Sequence, residues 1–183
     1  MQGTDEELMC AYRDGDSPAF DVLYARHKGP LFRYVLRGVR ARGVAEELYQ
    51  EIWIRVVEAR HRYQPSAKFT TWLYTIAHNR MVDHWRVKEI AVVDEAAFDA
   101  AAGSVAGSTA ADPARVAEGR EALGRLADGI AALPHAQREA FLLHEEAGLT
   151  AVEIAAATGS EPEAVKSRLR YAYQKLKTAV GHG

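Results

Sequence analysis

The sequence predicts an all-α chain made of two small helical domains joined by a flexible linker, the second domain being a helix-turn-helix. Three observations predict it. Apolar residues recur at helical spacing on both sides of a central break, as at Leu48, Ile52 and Val56. Residues 89–119 are rich in Ala, Gly, Ser and Asp, with Phe98 their only aromatic, which is too little apolar surface to offset the entropy of ordering. Further on, a short helical pattern, a Gly-containing turn and a longer basic helix follow one another.

Length and composition fit this division. The 183 residues have room for one medium domain or two small ones, and 48% apolar with 26% charged residues is ordinary for globular protein. No run of eighteen apolar residues predicts a membrane span. MQGTDEELMC is acidic and lacks a signal-peptide pattern, and the single Cys10 offers neither an internal disulfide nor a thiolate cluster, so a cytoplasmic protein is expected. The net charge of −2 conceals an uneven distribution. Residues 1–88 carry +3, residues 89–119 carry −5 and residues 120–183 are neutral, yet Ala164–Lys177 holds five cations and no acid. Local charge governs attraction to phosphates, so the total does not exclude a nucleic-acid partner.

Taken in order, Asp5–Asp14 reads as a short helix with Leu8 and Ala11 or Tyr12 inward. Ser17 is placed to cap the next helix and Pro18 to occupy its first position. Phe20, Leu23, Tyr24 and His27 then repeat at helical spacing, Gly29-Pro30 interrupts or kinks the run, and Leu31, Tyr34, Val35 and Leu36 resume it. A helix beginning near Ala45 breaks at Tyr63–Lys68, where Pro65 and Ser66 stop the pattern, and another runs from about Phe69 to Val87. Around that helix Phe69, Leu73, Tyr74, Ile76, Ala77, Met81 and Trp85 form a broad apolar sector, and Trp72, Thr75, Asn79, Asp83 and Arg86 a narrower strip. The preceding loop opens with Arg60, His61, Arg62 and Tyr63 and closes with Lys68. Cations hold phosphates while rings and amides take unstacked bases, so the combination suits unpaired nucleic acid. An aromatic-rich core beneath a solvated face fits the same residues.

In residues 120–183, Leu123, Leu126, Ile130 and Leu133 predict a helix ended by Pro134, and Gln137–Glu146 a second with Phe141 and Leu142 in its core. Gly148 breaks that helix. Thr150 and Glu153 are spaced as a capping box for a short helix closing at Thr158-Gly159-Ser160. Pro162 opens a long helix through about Ala179, with Val165, Leu169, Ala172 and Leu176 inward. Glu163, Ser167, Arg170 and Gln174 lie opposite, flanked by Lys166 and Tyr171, on a face suited to phosphates and base edges of a major groove. His144-Glu145-Glu146 lacks the second histidine of a zinc-protease helix, and His78 and His84 are not at ligand spacing. No phosphate loop or Ser/His/Asp order stands out, so no catalytic residue, cofactor or metal is expected.

AEELYQEIWIRVV followed by FTTWLYTIAHNRMVDHWR closely resembles the second conserved region of the extracytoplasmic-function sigma factors of bacterial RNA polymerase, and GDSPAFDVLY resembles the segment before it. Leu133–Leu143, Gly148–Ala155 and Val165–Leu169 resemble the signatures of the family's fourth region. The resemblance implies a region-two domain at 1–88, an acidic linker at 89–119 and a region-four domain at 120–183. It implies docking of Glu47, Gln50, Glu51 and Trp53 on the coiled coil of the polymerase's largest subunit, with the flap as a further contact. Opening and reading of the minus-ten promoter element is implied for Tyr63, Lys68, Trp72, Asn79, Asp83 and Arg86. Contact with the minus-thirty-five element is implied for Glu163, Lys166, Ser167, Arg170, Tyr171 and Gln174. Core RNA polymerase, promoter DNA and an anti-sigma factor are the implied partners.

Four features give this chain its own character within that pattern. Glu161-Pro162-Glu163 brings carboxylates to a helix start that faces phosphate, where Glu163 can instead accept from a cytosine amino group. Asp83 stands where an amide suits DNA better. Ser160 replaces an apolar turn residue, which is expected to loosen the helix pair. The acidic linker reads first as a solvated tether, and the resemblance implies a second role in which Asp94, Glu95, Asp99 and Asp112 mimic phosphates in polymerase channels. The alternative function is a stand-alone helix-turn-helix regulator, which leaves residues 45–86 without a purpose.

Overall fold

The computed structural model describes residues 3–92 and 113–181, with side chains described for 3–87 and 123–179. Eight α-helices and one 3-10 turn make up its secondary structure, with no strand among the described residues. Helix α1 (Asp5–Arg13) starts at a capping box that the sequence reading did not anticipate. Thr4 Oγ1 accepts from the Glu7 amide at 3.2 Å, and the Glu7 carboxylate accepts from the Thr4 amide at 2.9 Å.

Helix α2 (Ser17–Val39) is one helix with Pro30 inside it, so of the expected interruption or kink at Gly29-Pro30 the interruption does not occur. Proline removes one donor from the ladder, but Leu23, Leu31 and Tyr34 on either side are fully buried and anchor both halves in the core. Its cap also differs: Asp16 takes the N-cap position without a side-chain bond, and Ser17 is already helical. Helix α3 (Arg42–Ala59) passes through the 3-10 turn Arg60–Arg62 to an exposed loop and then to helix α4 (Phe69–Val92). Leu8 and Met9 of α1, Leu48, Ile52 and Val56 of α3, and Phe69, Leu73, Tyr74 and Met81 of α4 close on α2 as the first core.

The remaining helices are α5 (Pro113–Ala132), α6 (His135–Ala147), α7 (Ala151–Thr158) and α8 (Pro162–Gly181). Helix thus enters the expected linker from both ends, at 89–92 and 113–119. Asp94, Glu95, Asp99 and Asp112 lie outside the described residues. Gly148 and Gly159 end α6 and α7 in the left-handed region, at φ 65° and 63°, where a side chain is strained. Helix α8 packs across α5, α6 and α7, burying Val165, Ala172 and Leu176.

The two helical groups also pack on each other, α6 against α2 and α7 along α4. Carboxylates of the second group supply the polar links. Glu146, almost fully buried, lies 2.6 Å from Arg33 Nε and 2.5 Å from Arg37 Nη1. Glu139 accepts from the Tyr34 hydroxyl at 3.3 Å and sits 2.5 Å from His78 Nδ1.

Candidate nucleic-acid interface

Helix α8 turns its polar face outward. Lys166, Arg170, Tyr171 and Gln174 are exposed and Ser167 is half-buried. Lys166 Nζ meets Glu163 Oε1 at 2.7 Å, an exposed pair one helical turn apart. The Arg170 guanidinium lies 5.0 Å from the centre of the Tyr171 ring, which holds a flat cation beside a flat π surface. Ser160, expected to loosen the turn before α8, does the reverse. Its Oγ accepts from Arg168 Nη1 at 2.9 Å and lies 3.2 Å from Thr158 Oγ1, tying the turn to α8.

Helix α7 is set by the predicted capping box. Thr150 Oγ1 accepts from the Glu153 amide at 3.3 Å and Glu153 Oε2 accepts from the Thr150 amide at 2.8 Å. Glu153 has a second partner that spacing along the chain could not reveal: its Oε1 is 2.8 Å from Lys68 Nζ in the loop before α4. That ammonium, with the Thr150 amide, holds the Glu153 carboxyl down at about 2.

Residues 64–68 of this loop are all exposed, but Tyr63 is not. Its ring is 1% exposed, 5.1 Å from the Trp72 ring and 6.3 Å from the Phe69 ring, and burial pushes its hydroxyl up to about 12. Tyr63 is therefore the floor of the loop in this conformation, not its surface. Along α4, Trp72 is half-buried, Asn79 and Arg86 are exposed, and Asp83 lies 3.9 Å from Arg55. The strip read from the sequence thus occupies one accessible side of α4.

On α3, Glu47 and Gln50 are exposed, while Glu51 accepts from Arg80 Nε, which holds its carboxyl below the usual range. Trp53 is buried except for an edge, with Phe20 and Tyr24 packed edge-on against it. Around it Phe20, Tyr24, Ile54 and Val57 line an open apolar groove bordered by Glu58, and Ile54 is 56% exposed. Sequence reasoning missed this groove. Its signal was Ile54, an apolar residue off the inward stripe of α3.

Comparison with known proteins bears on these surfaces. Residues 23–89 match Sigma-70 region 2 and residues 123–176 match Sigma-70, region 4. The chain is 33% identical over 171 residues to RNA polymerase sigma factor CarQ of Myxococcus xanthus, covering 93% of this chain and 94% of that one. It is 33% identical over 175 residues to ECF RNA polymerase sigma factor SigK of Mycobacterium sp. (strain KMS), covering 95% and 89%. The chain belongs to the extracytoplasmic-function sigma factors. This sigma factor directs promoter recognition by RNA polymerase. Its fold matches CnrH, solved in complex with the cytosolic domain of CnrY, with a TM-score of 0.69 at 22% identity over 97% of both chains. It also matches the sigma factor RpoE of Bartonella quintana, solved with the anti-sigma factor NepR, with a TM-score of 0.76 at 19% identity over 89% of this chain and 97% of that one. The region-two match takes in α3, the loop and most of α4; the region-four match takes in α6, α7 and most of α8.

Proposed function

We propose that the sigma factor docks on core RNA polymerase through α3 and grips its promoter at two places, the minus-thirty-five element with α8 and the minus-ten element with the loop and outer strip of α4. The outward face of α8 carries the reading. Val165, Ala172 and Leu176 are buried while Lys166, Arg170, Tyr171 and Gln174 face solvent, so the helix is held from behind with its donors free to enter a major groove. Glu163 and Ser167 sit on the same side, and Glu163 passes its carboxylate from Lys166 to a base when phosphate takes the lysine.

Downstream, Lys68 exchanges Glu153 for a DNA phosphate, and Trp72, Asn79, Asp83 and Arg86 line the path of the opened strand. Tyr63 supports that path from beneath. Glu47, Gln50 and Glu51 supply the polar part of the polymerase contact, and the groove over Trp53 supplies its apolar part. The factor lends specificity while bond formation belongs to the polymerase, so it acts without catalytic residues of its own, in the cytoplasm. The two structural relatives were solved with the cytosolic domain of CnrY and with the anti-sigma factor NepR, which supports an anti-sigma partner here as well.

The test is reconstitution. Mixed with core polymerase, the full chain co-migrates in gel filtration and starts transcripts at defined sites. Lys166→Ala with Arg170→Ala weakens upstream protection about tenfold or more, each lost base or phosphate contact being worth about 1–3 kcal/mol. A chain that binds duplex DNA but never joins polymerase is a stand-alone regulator, and the proposal fails.

A further inference from the structure

The three carboxylates of the first turn of α1, Asp5-Glu6-Glu7, are each engaged within the molecule. Glu7 closes the cap of α1. Asp5 fastens α1 to α2, with Oδ1 2.7 Å from Arg26 Nη1 and Oδ2 2.7 Å from His27 Nε2. Glu6 reaches across to α4, where its Oε1 accepts from the Phe69 amide at 2.7 Å. Phe69 is the first residue of α4, and the residue before it, Lys68, has no acceptor with which to cap the helix. Glu6 supplies that cap from 63 residues away, with a negative charge at the positive end of the helix.

The other end of the loop is held by the same helix. Arg13 Nη1 donates to the Tyr63 carbonyl at 3.2 Å, and the guanidinium is itself oriented by Asp14, at 2.8 Å and 3.2 Å. Between these two anchors residues 64–68 are exposed. Both Glu6 and Arg13 are half-buried, and each bonds to the backbone at one end of the loop.

We infer that Glu6 and Arg13 are positioning residues for minus-ten recognition: α1 clamps the loop at the Tyr63 carbonyl and the Phe69 amide, and so sets the shape in which it meets an unstacked base. The inference rests on the reading of this loop as the minus-ten surface. Preorganisation acts on capture of the base and leaves polymerase docking on α3 untouched.

The experiment uses the full chain assembled with core polymerase and a promoter fragment carrying a fluorescent base analogue in the minus-ten element. Polymerase affinity, thermal unfolding and the rate of base unstacking at saturating holoenzyme are read separately. Glu6→Ala slows unstacking about fivefold, the size expected for loss of one helix cap, with polymerase affinity unchanged. Glu6→Gln keeps an acceptor for the Phe69 amide and restores most of the rate. Arg13→Ala reproduces the defect from the other anchor and decides the matter if Glu6→Ala does not fold. Unstacking at the wild-type rate in Glu6→Ala, a Glu6→Gln as slow as Glu6→Ala, or an equal loss of polymerase affinity overturns the inference. A control in which residues 64–67 are replaced by Gly and Ser separates the two levels. If the control opens the promoter normally, the minus-ten reading of the loop is at fault. If the control fails and Glu6→Ala opens normally, only the clamp is.

Discussion

Tyr63 closes the loop from below, its ring shut between Phe69 and Trp72 and its hydroxyl buried without a hydrogen-bond partner in the described structure. A buried hydroxyl of this kind costs stability, whereas the ring contributes packing. Tyr63→Phe is therefore expected to leave urea stability equal or slightly raised, while Tyr63→Ala lowers it by about 3–5 kcal/mol, the usual range for emptying an aromatic site. A Tyr63→Ala protein as stable as the wild type would show that the ring does not form the floor described here. The residue also shows where reading by composition stops. Basic and aromatic letters around position 63 point to nucleic acid, but which rings face in depends on helices far away in the chain. Lys166, Arg170 and Gln174 were legible because α8 is long and its apolar residues recur cleanly, which leaves one orientation for the rest.

At the scale of the element, α7 shows how a local signal and a distant one meet in a single side chain. Thr150 and Glu153 announce the start of the helix by their spacing, and the capping box forms as that spacing predicts. Nothing in the spacing announces Lys68. Its pairing with Glu153, like that of Glu6 with the Phe69 amide and Arg33 with Glu146, joins residues 63 to 113 positions apart, and charged residues off the apolar stripe carry no periodicity that marks a partner. Helices and turns were accordingly readable, and the links between them were not. Even so, one local signal was ambiguous: Gly29-Pro30 reads as a break or a kink, and with burial on both sides the helix does not break there.

The Glu153 carboxyl sits at about 2, below its ordinary 4.5, so its links are stronger in the folded state than in the unfolded chain. Because the folded value is the lower one, this stabilisation is present above about pH 4.5 and is lost as pH falls toward 2. Glu153→Gln keeps a polar group of the same size without the charge. Its stability is expected to lie below the wild type at neutral pH and to converge on it under acid, in paired unfolding curves recorded across that range. A gap that stays constant with pH would show that the charge of Glu153 plays no part.

Across the whole molecule, the two helical groups carry different halves of one task. In the proposed reading the first presents α3 to the polymerase and the loop with α4 to the opened strand, and the second presents α8 to duplex DNA. In the arrangement described, α7 lies along α4 and Glu153 holds Lys68, so the minus-ten surface is partly occupied by the factor's own second half. Region order along the chain was readable from motifs, whereas this mutual packing rests on the distant partners of Glu139, inside Leu133–Leu143, and of Glu146, which no motif marks. Linkage of two modest DNA contacts through one chain raises the effective concentration of the second once the first is made.

The most direct test of that division is a paired footprint of reconstituted holoenzyme on its own promoter, reading duplex protection upstream and unpaired bases downstream in the same sample. With holoenzyme saturating the downstream site, Lys166→Ala with Arg170→Ala is expected to weaken the upstream protection about tenfold or more and spare the downstream opening. Replacement of residues 64–67 is expected to do the opposite. Loss of both signals together in each variant, or of neither, would contradict two separate grips on one promoter.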